Sequence, residues 1–171
     1  YQKRFLDAVV VSGGEPTLQS GLEKFIFCVK NMGFDIKLDT NGTNPEILRR
    51  LIDKKLLDYV AMDVKAPFFK YKAITGSDKY LNNINKSINL LMQGNADYEF
   101  RTTFTPRLSA EDIRTIAYRI KGAKRYVLQQ FRPVDKNDEW CEDSKEKPHS
   151  LEYIKKVIEQ IKGLTEQCNV I

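Results

Sequence analysis

The fold is indicated first by residues 7–17, which read Asp-Ala-Val-Val-Val-Ser-Gly-Gly-Glu-Pro-Thr. A run of β-branched residues that ends in two glycines predicts a buried strand followed by a tight turn. Four more apolar runs predict strands at residues 35–39, 59–64, 98–104 and 125–130. Amphipathic segments separate these runs, and that alternation is typical of a parallel α/β protein.

The helices are predicted from their apolar periodicity and from their end signals. Pro45 after Asn44 marks one helix start, and Ser109 with Asp112 predicts a capping box at another. Gly33 and Gly122 stand where two helices should end. The predicted helices cover residues 21–32, 45–55, 80–91, 110–120 and 150–161, with long loops at 68–78 and 133–148.

Polar residues follow every predicted strand at its carboxyl end. The five segments are Ser-Gly-Gly-Glu-Pro-Thr (12–17), Asp-Thr-Asn-Gly (39–42), Asp-Val-Lys-Ala-Pro (63–67), Arg-Thr-Thr-Phe-Thr-Pro (101–106) and Gln-Gln-Phe-Arg-Pro (129–133). In a parallel barrel these ends meet at one rim, where catalytic groups lie. A doubly wound sheet would place polar ends mainly beside one crevice. Because a full eight-stranded barrel needs about 250 residues, we expect a partial (βα) barrel similar to a TIM barrel.

Composition narrows the class of protein. The chain has 171 residues, of which 42% are hydrophobic and 30% are charged, and this predicts one globular domain over residues 1–171. The net charge is +5, but no dense basic run predicts nucleic-acid binding. No apolar run is long enough to cross a membrane, and we expect a cytoplasmic protein.

The three cysteines Cys28, Cys141 and Cys168 are too widely spaced for a local metal site. We therefore predict neither a metal ligand nor a disulfide. Cys28 falls in an apolar helical pattern and is interpreted as a core residue, whereas the other two are interpreted as loop and tail thiols. The chain begins with Tyr1, so we expect that a preceding segment is missing.

The rim residues carry charges that suit a zwitterionic amino-acid ligand. Gly13 and Gly14 allow a ligand to approach the backbone closely, and Glu15 adds a carboxylate. Asp63 and Lys65 flank Val64, so their side chains should share one face. Taken singly, each of these segments is better explained as a tight turn or a surface ion pair. Together, acidic residues such as Glu15 and Asp39 would bind an ammonium group, and Lys65 or Arg101 would bind a carboxylate.

The five strand-end segments, taken in order over almost the whole chain, resemble the radical S-adenosylmethionine (SAM) superfamily. Within it, Asp-Val-Lys-Ala-Pro (63–67) and Leu-Gln-Gln-Phe-Arg-Pro (128–133) are most similar to activating proteins of anaerobic ribonucleoside-triphosphate reductase. Pyruvate formate-lyase activating enzyme is the nearest alternative. The resemblance implies a partial six-stranded barrel that binds S-adenosylmethionine and a [4Fe-4S] cluster. It further implies a 5′-deoxyadenosyl radical that removes hydrogen from a glycine of a partner, and an electron donor such as flavodoxin or ferredoxin.

The same resemblance implies roles for particular residues. Gly13, Gly14 and Glu15 match the motif that holds the methionine ammonium, with help from Asp39 and Asn41. Lys65, beside Asp63, matches the lysine that reaches the methionine carboxylate and the ribose. The remaining cofactor-binding positions implied are on the last two predicted strands: Arg101, Thr103, Leu128 and Gln130.

One feature of the family is missing. Its three cluster cysteines lie in a Cys-x3-Cys-x2-Cys loop upstream of the Gly-Gly-Glu strand, and this sequence contains no such loop. We therefore expect an N-terminally truncated domain that lacks its first strand and is inactive alone, with an exposed strand edge at residues 7–12. Two alternatives stay open: an enzyme that forms a Schiff base at Lys65, and a cluster-free binding module.

Overall fold

The structure is a computed structural model that describes residues 6–133 and 146–171. Within these residues, six strands form one sheet in chain order, so that β1 and β6 are its two edges. The pairs β1–β2, β2–β3, β4–β5 and β5–β6 are parallel. The strands are β1 (Ala8–Val11), β2 (Asp35–Thr40), β3 (Tyr59–Asp63), β4 (Asp97–Phe104), β5 (Arg125–Gln130) and β6 (Gln167–Val170). The predicted α/β class is confirmed.

Helices alternate with these strands. They are α1 (Leu22–Asn31), α2 (Pro45–Asp53), α3 (Tyr71–Thr75), α4 (Leu81–Met92), α5 (Ala110–Arg119) and α6 (Leu151–Ile161). Short 3-10 turns occupy Pro16–Leu18 and Phe68–Lys70. None of the helices described is long and apolar enough to cross a membrane.

Two elements were missed by the sequence analysis. The strand β6 pairs with β5 in parallel, although Gln-Cys-Asn-Val has no apolar run that would predict a strand. The short helix α3 lies inside the predicted loop at 68–78. Most of the other predicted loop, residues 134–145, lies outside the described residues, as does Cys141.

The chain divides into two compact units, which are described separately below. Unit one consists of residues 1–63 and 79–99, and unit two consists of residues 64–78 and 100–171. The strand β4 therefore contributes its first residues to unit one and the rest to unit two. The single domain expected over residues 1–171 stays a prediction.

In unit one, β2 separates a buried face from a half-buried polar face. Ile36 and Leu38 are fully buried, whereas Lys37 and Asp39 between them are only partly buried. Val10 of β1 pairs with Lys37 and is 56% exposed, so the polar face of β2 continues onto β1 as an open face. The alternation follows from the two-residue period of a strand.

In unit two, the core consists of large residues from β4 and β5, with the apolar faces of α5 and α6. Phe100, Phe104 and Tyr126 are fully buried. The predicted capping box is confirmed at the start of α5, where Ser109 Oγ accepts from Asp112 N and Asp112 Oδ2 accepts from Ser109 N. Lys70 Nζ also donates to Asp112 Oδ2 at 2.7 Å, which joins the loop after β3 to this helix start.

The prediction that Cys28 is a core residue is wrong, because its side chain is exposed. The buried residues of α1 are Leu22, Ile26 and Val29, which lie on one face at helical spacing. Cys28 lies outside that face. Cys168 lies in β6 and is partly buried, and burial raises the pKa of its thiol to about 11.

Candidate functional site

In unit one, the Glu15 carboxylate joins the segment after β1 to the segment after β2. Its Oε1 accepts hydrogen bonds from Thr17 N at 3.1 Å, Thr17 Oγ1 at 2.6 Å and Thr40 Oγ1 at 2.8 Å. Its Oε2 accepts from Asn41 N at 2.6 Å. Glu15 is only 8% exposed. The carboxylate therefore satisfies four donors of the protein itself.

The Gly13–Gly14 turn precedes Glu15 and leaves its backbone open. The φ angles are +94° at Gly13 and +52° at Gly14, and residues with a side chain rarely adopt such values. A Cβ atom added to either glycine would meet no heavy atom within 4 Å. This turn thus offers bare peptide groups and the space for a ligand to reach them.

The segment after β2 is held from several sides. Gly42 N donates to Thr40 Oγ1 at 3.1 Å, and Ser87 Oγ of α4 donates to Gly42 O at 2.8 Å. Gly42 has a φ of +73°, and an added Cβ would lie 2.0 Å from Met62 Cε. Asn41 Oδ1 accepts from Thr43 N at 3.0 Å. The Asp-Thr-Asn-Gly segment is therefore fixed where β2 ends, and its positive φ favours glycine at the fourth position.

A charged network lies on the half-buried face of unit one. Lys37 Nζ lies 3.8 Å from Asp39 Oδ1 and 3.9 Å from Glu99 Oε1. Tyr59 Oη donates to Glu99 Oε2 at 2.9 Å. Asp63 is partly buried at the end of β3, and its side chain lies on the same face of this strand as Tyr59, because the two are four residues apart. Carboxylates are thus concentrated on this face.

In unit two, hydrogen bonds fix the peptide groups on both sides of Val64, directly before Lys65. Val64 N donates to Arg101 O at 2.8 Å, and Thr102 Oγ1 donates to Val64 O at 2.6 Å. Tyr126 Oη in turn donates to Thr102 Oγ1 at 2.9 Å. Tyr126 is fully buried, and burial raises the pKa of its phenol. Lys65 itself is exposed.

The strand register in unit two identifies a residue that the sequence analysis missed. Thr103 pairs with Gln129, so the two side chains share one face, and Thr103 Oγ1 lies 3.5 Å from Gln129 Oε1. Leu128 and Gln130 lie on the opposite face: Leu128 is fully buried, and Gln130 Nε2 donates to His149 O at 2.9 Å. Only the pairing of β4 with β5 shows this, because both alternate faces of β5 carry a glutamine.

The described residues do not include a set of ligands for a metal cluster. Within residues 6–133 and 146–171, no group of three or more His, Cys, Asp or Glu side chains is placed to hold a metal ion. We assign no cluster ligand to these residues and derive no step through a cluster. In unit one, the open glycine turn and the carboxylates are chemically suited to an ammonium group, and in unit two, Lys65 and Arg101 are each suited to a carboxylate.

These features define a parallel α/β protein with polar groups at the carboxyl ends of its strands. The profile of the radical SAM superfamily matches residues 1–127, and the chain belongs to this superfamily. The fold agrees, since a crystal structure of a domain of pyruvate-formate lyase-activating enzyme from Bacteroides vulgatus superposes with a TM-score of 0.74. That match covers 96% of this chain and 98% of the other, at 15% identity.

Two relatives of known sequence are similar over most of this chain. A Methanocaldococcus jannaschii protein with the name "putative glycyl-radical enzyme activating enzyme MJ1227" is 45% identical over 141 residues, which are 79% of this chain and 59% of that protein. The 7-carboxy-7-deazaguanine synthase of Thermococcus kodakarensis is 28% identical over 76% of this chain and 50% of its own length. The chain thus spans between half and three fifths of these relatives.

Proposed function

We propose that this chain is the S-adenosylmethionine-binding body of a radical SAM enzyme that activates a glycyl-radical enzyme. The observation that supports it most is the 45% identity to the activating-enzyme relative, against 28% for the deazaguanine synthase. The partner we propose is an anaerobic ribonucleoside-triphosphate reductase. Pyruvate formate-lyase is the alternative partner, flavodoxin or ferredoxin is the expected electron donor, and the expected location is the cytoplasm.

Bound S-adenosylmethionine would supply, on reductive cleavage, the radical that removes a hydrogen atom from the partner's glycine. The residues of this chain would bind and orient it. In unit one, the Gly13–Gly14–Glu15 segment and the Asp39 and Asn41 segment would form the binding region for the methionine ammonium. The backbone openness of the two glycines supports this role. Asp63 would add negative charge at the end of β3.

In unit two, Lys65 and Arg101 would bind the methionine carboxylate, because ammonium and guanidinium groups both pair with carboxylates. The hydrogen bonds on both sides of Val64 support this role for Lys65, since they fix the backbone from which the side chain extends. Thr103 would contact the adenosine side of the ligand. We add Gln129 to this group because it shares the face of Thr103, and we regard Leu128 and Gln130 as its supporting neighbours.

The decisive experiment uses the full-length protein, reconstituted anaerobically with iron and sulfide and supplied with a reductant. With S-adenosylmethionine and the reductase, we expect 5′-deoxyadenosine and a glycyl-radical signal in the electron paramagnetic resonance spectrum. Pyruvate formate-lyase in a parallel reaction tests the alternative partner. Formation of 5′-deoxyadenosine without a radical on either enzyme would contradict the activase proposal.

Variants of Lys65 test the binding assignment. Lys65→Ala should weaken S-adenosylmethionine binding by about 10- to 150-fold, because a charge-assisted hydrogen bond contributes about 1.5–3 kcal/mol. Lys72→Ala is the matched control, since Lys72 is an exposed lysine in α3 of the same unit. Equal affinities for Lys65→Ala and Lys72→Ala would show that Lys65 does not contact the ligand. Borohydride reduction with a carbonyl substrate tests the Schiff-base alternative.

A further inference from the structure

An apolar pocket lies in unit two, between the segment that follows β3 and the helix α5. Its volume is about 430 Å³, and it is lined on one side by residues 64 and 66–69 and on the other by residues 115, 116, 118 and 119. We call it the aromatic pocket, because Phe68, Phe69 and Tyr118 are among its lining residues. Ligand pockets in proteins have volumes of roughly 300–1,000 Å³, so this one has room for an aromatic side chain and a neighbouring group.

The aromatic pocket has a buried floor and an exposed rim. Val64, Ala66 and Ile116 line it and are buried. Phe69 and Tyr118 also line it, but they are 78% and 64% exposed. Large apolar groups that surround a pocket and stay in contact with water mark an interaction site, because covering them removes apolar area from water.

Two contacts hold the walls of the aromatic pocket in place. Lys70 Nζ donates to Asp112 Oδ2 at 2.7 Å, which links the turn Phe68–Lys70 to the first turn of α5. At the other end of α5, the Arg119 guanidinium lies over the Phe68 ring, with Cζ 4.8 Å from the ring centroid. The two walls are thus joined at both ends of the helix. The pocket is formed before anything binds, and this lowers the cost of binding.

The rim of the aromatic pocket carries positive charge. Arg119 lines the pocket, and none of the described residues that line it is acidic. A guanidinium has five N–H donors, so its contact with one ring does not exhaust its capacity. It pairs with a carboxylate through two parallel hydrogen bonds. The pocket therefore fits an aromatic side chain that is accompanied by a carboxylate.

The composition and the place of the aromatic pocket favour a protein as its occupant. Aromatic residues and arginine are enriched among the residues that contribute most to protein–protein binding. The floor residues Val64 and Ala66 lie on either side of Lys65, which is exposed. A protein that fills the pocket would therefore contact the segment that carries this lysine.

We propose that the aromatic pocket is a docking site for the partner glycyl-radical enzyme, which inserts an aromatic side chain next to an aspartate or a glutamate. This rests on the proposed function for the identity of the partner. The aromatic side chain packs against Phe69 and Tyr118, and the carboxylate pairs with Arg119.

The first test measures glycyl-radical formation by the full-length, reconstituted protein at increasing concentrations of the anaerobic reductase. Phe69→Ala should raise the KM for the reductase at least about tenfold, because the loss of an anchoring aromatic residue from an interface has an effect of this size. The kcat should not change. Formation of 5′-deoxyadenosine without the reductase should also stay at the parent's rate, because Phe69 is not among the proposed cofactor-binding residues.

The second test concerns the charge at the rim. Arg119→Glu should raise the KM for the reductase by about tenfold, because it places one carboxylate beside another. The KM of the parent should also rise more steeply with salt concentration than the KM of Arg119→Ala, since salt screens the pair that only the parent can form. Equal salt dependence in these two proteins would overturn the proposed carboxylate.

Phe27→Ala and Lys121→Glu are the matched controls. Phe27 is 54% exposed in α1 of unit one, and Lys121 is an exposed cation just beyond the end of α5 that does not line the aromatic pocket. Both variants should keep the KM of the parent. Values of KM equal to that of the parent in Phe69→Ala and Arg119→Glu would overturn the docking site.

Other occupants of the aromatic pocket give different results. If it joins two copies of this chain, Phe69→Ala lowers the average mass in sedimentation equilibrium and leaves the KM for the reductase unchanged. If it holds a free aromatic acid, Phe69→Ala weakens the binding of phenylacetate, measured by calorimetry, and again leaves the KM unchanged. Either result would overturn the proposal.

The same assays separate this proposal from the proposed function. If the parent forms no glycyl radical on the reductase or on pyruvate formate-lyase, the proposed function fails and the docking site fails with it. If the parent activates the reductase and Phe69→Ala and Arg119→Glu do so with the same KM, only the docking site is refuted.

Discussion

The buried hydroxyl pair Tyr126–Thr102 should be energetically coupled, because Tyr126 Oη donates to Thr102 Oγ1 and Thr102 Oγ1 donates to Val64 O. Tyr126→Phe removes one donor and should lower the free energy of unfolding by about 1 kcal/mol. Thr102→Val should cost about 2–3 kcal/mol, because it leaves the fully buried Tyr126 hydroxyl without its acceptor and Val64 O without this donor.

The double variant completes the cycle. Once both hydroxyls are absent, the buried phenol no longer lacks a partner, so the double variant should be less destabilised than the sum of the single changes by about 1 kcal/mol. Urea unfolding of all four proteins, followed by circular dichroism, measures this difference. Additivity within about 0.3 kcal/mol would refute the coupling.

The control for this cycle is another tyrosine of unit two. Tyr118 in α5 is 64% exposed, so Tyr118→Phe should change the free energy of unfolding by less than about 0.5 kcal/mol. Because Val64 directly precedes Lys65, the same variants also test the site. If the Val64 backbone positions Lys65, Thr102→Val should weaken S-adenosylmethionine binding more than Tyr118→Phe does.

Three further predictions concern the pKa of a carboxylate, the backbone of a glycine and the reactivity of two thiols. Burial acts to raise the pKa of Asp112, but the hydrogen bonds from Lys70 and Ser109 outweigh this effect, so the pKa is lowered. The stability that Asp112 contributes is therefore fully present above the ordinary carboxyl pKa. It is lost as the pH falls through the lower pKa of the folded protein. The stability difference between parent and Asp112→Asn should shrink below about pH 4, and a difference that stays constant down to acid unfolding would contradict this. Gly13→Ala should lower the free energy of unfolding by about 1–2 kcal/mol through backbone strain alone. Gly21→Ala is the control and should not lower it, because the φ of Gly21 is negative and an added Cβ there also meets nothing within 4 Å. Equal urea midpoints for the two variants would show that Gly13 is unstrained. Iodoacetamide at neutral pH should modify the exposed Cys28 at least about tenfold faster than Cys168, because burial raises the pKa of the Cys168 thiol to about 11. Peptide mass spectrometry measures the two rates. Equal rates would mean that burial does not protect Cys168.

Local signals were sufficient for much of the fold. The predicted strands appear because β-branched runs flanked by turn residues need little tertiary help to form buried strands. The capping box at Ser109 and Asp112 was predictable for the same reason, since both partners lie within one turn. The strand β6 was not predictable, because Gln-Cys-Asn-Val forms a strand only through its pairing with β5.

The candidate site likewise has features that the sequence could predict and features that only the folded chain shows. The types of residues at the strand ends, and their resemblance to the radical SAM superfamily, could be recognised from the chain alone, and the superfamily match confirms that recognition. The role of Glu15 as a site residue stays a prediction, and its hydrogen bonds from Thr40 Oγ1 and Asn41 N were not foreseen, because these residues are far from it in sequence. The exposure of Cys28 was also missed, since an apolar pattern does not show which face of a helix has a neighbour to pack against.

What the amino-acid sequence determined by itself is therefore the kind of chemistry: glycines, carboxylates and cations placed after successive strands, by local rules that act over a few residues. The tertiary structure decided which atoms are available for that chemistry. Strand register placed Gln129 rather than Gln130 beside Thr103, and long-range hydrogen bonds from Thr40 Oγ1 and Asn41 N reach the Glu15 carboxylate. Both depend on pairing between distant segments, and a short-range sequence pattern does not specify that pairing.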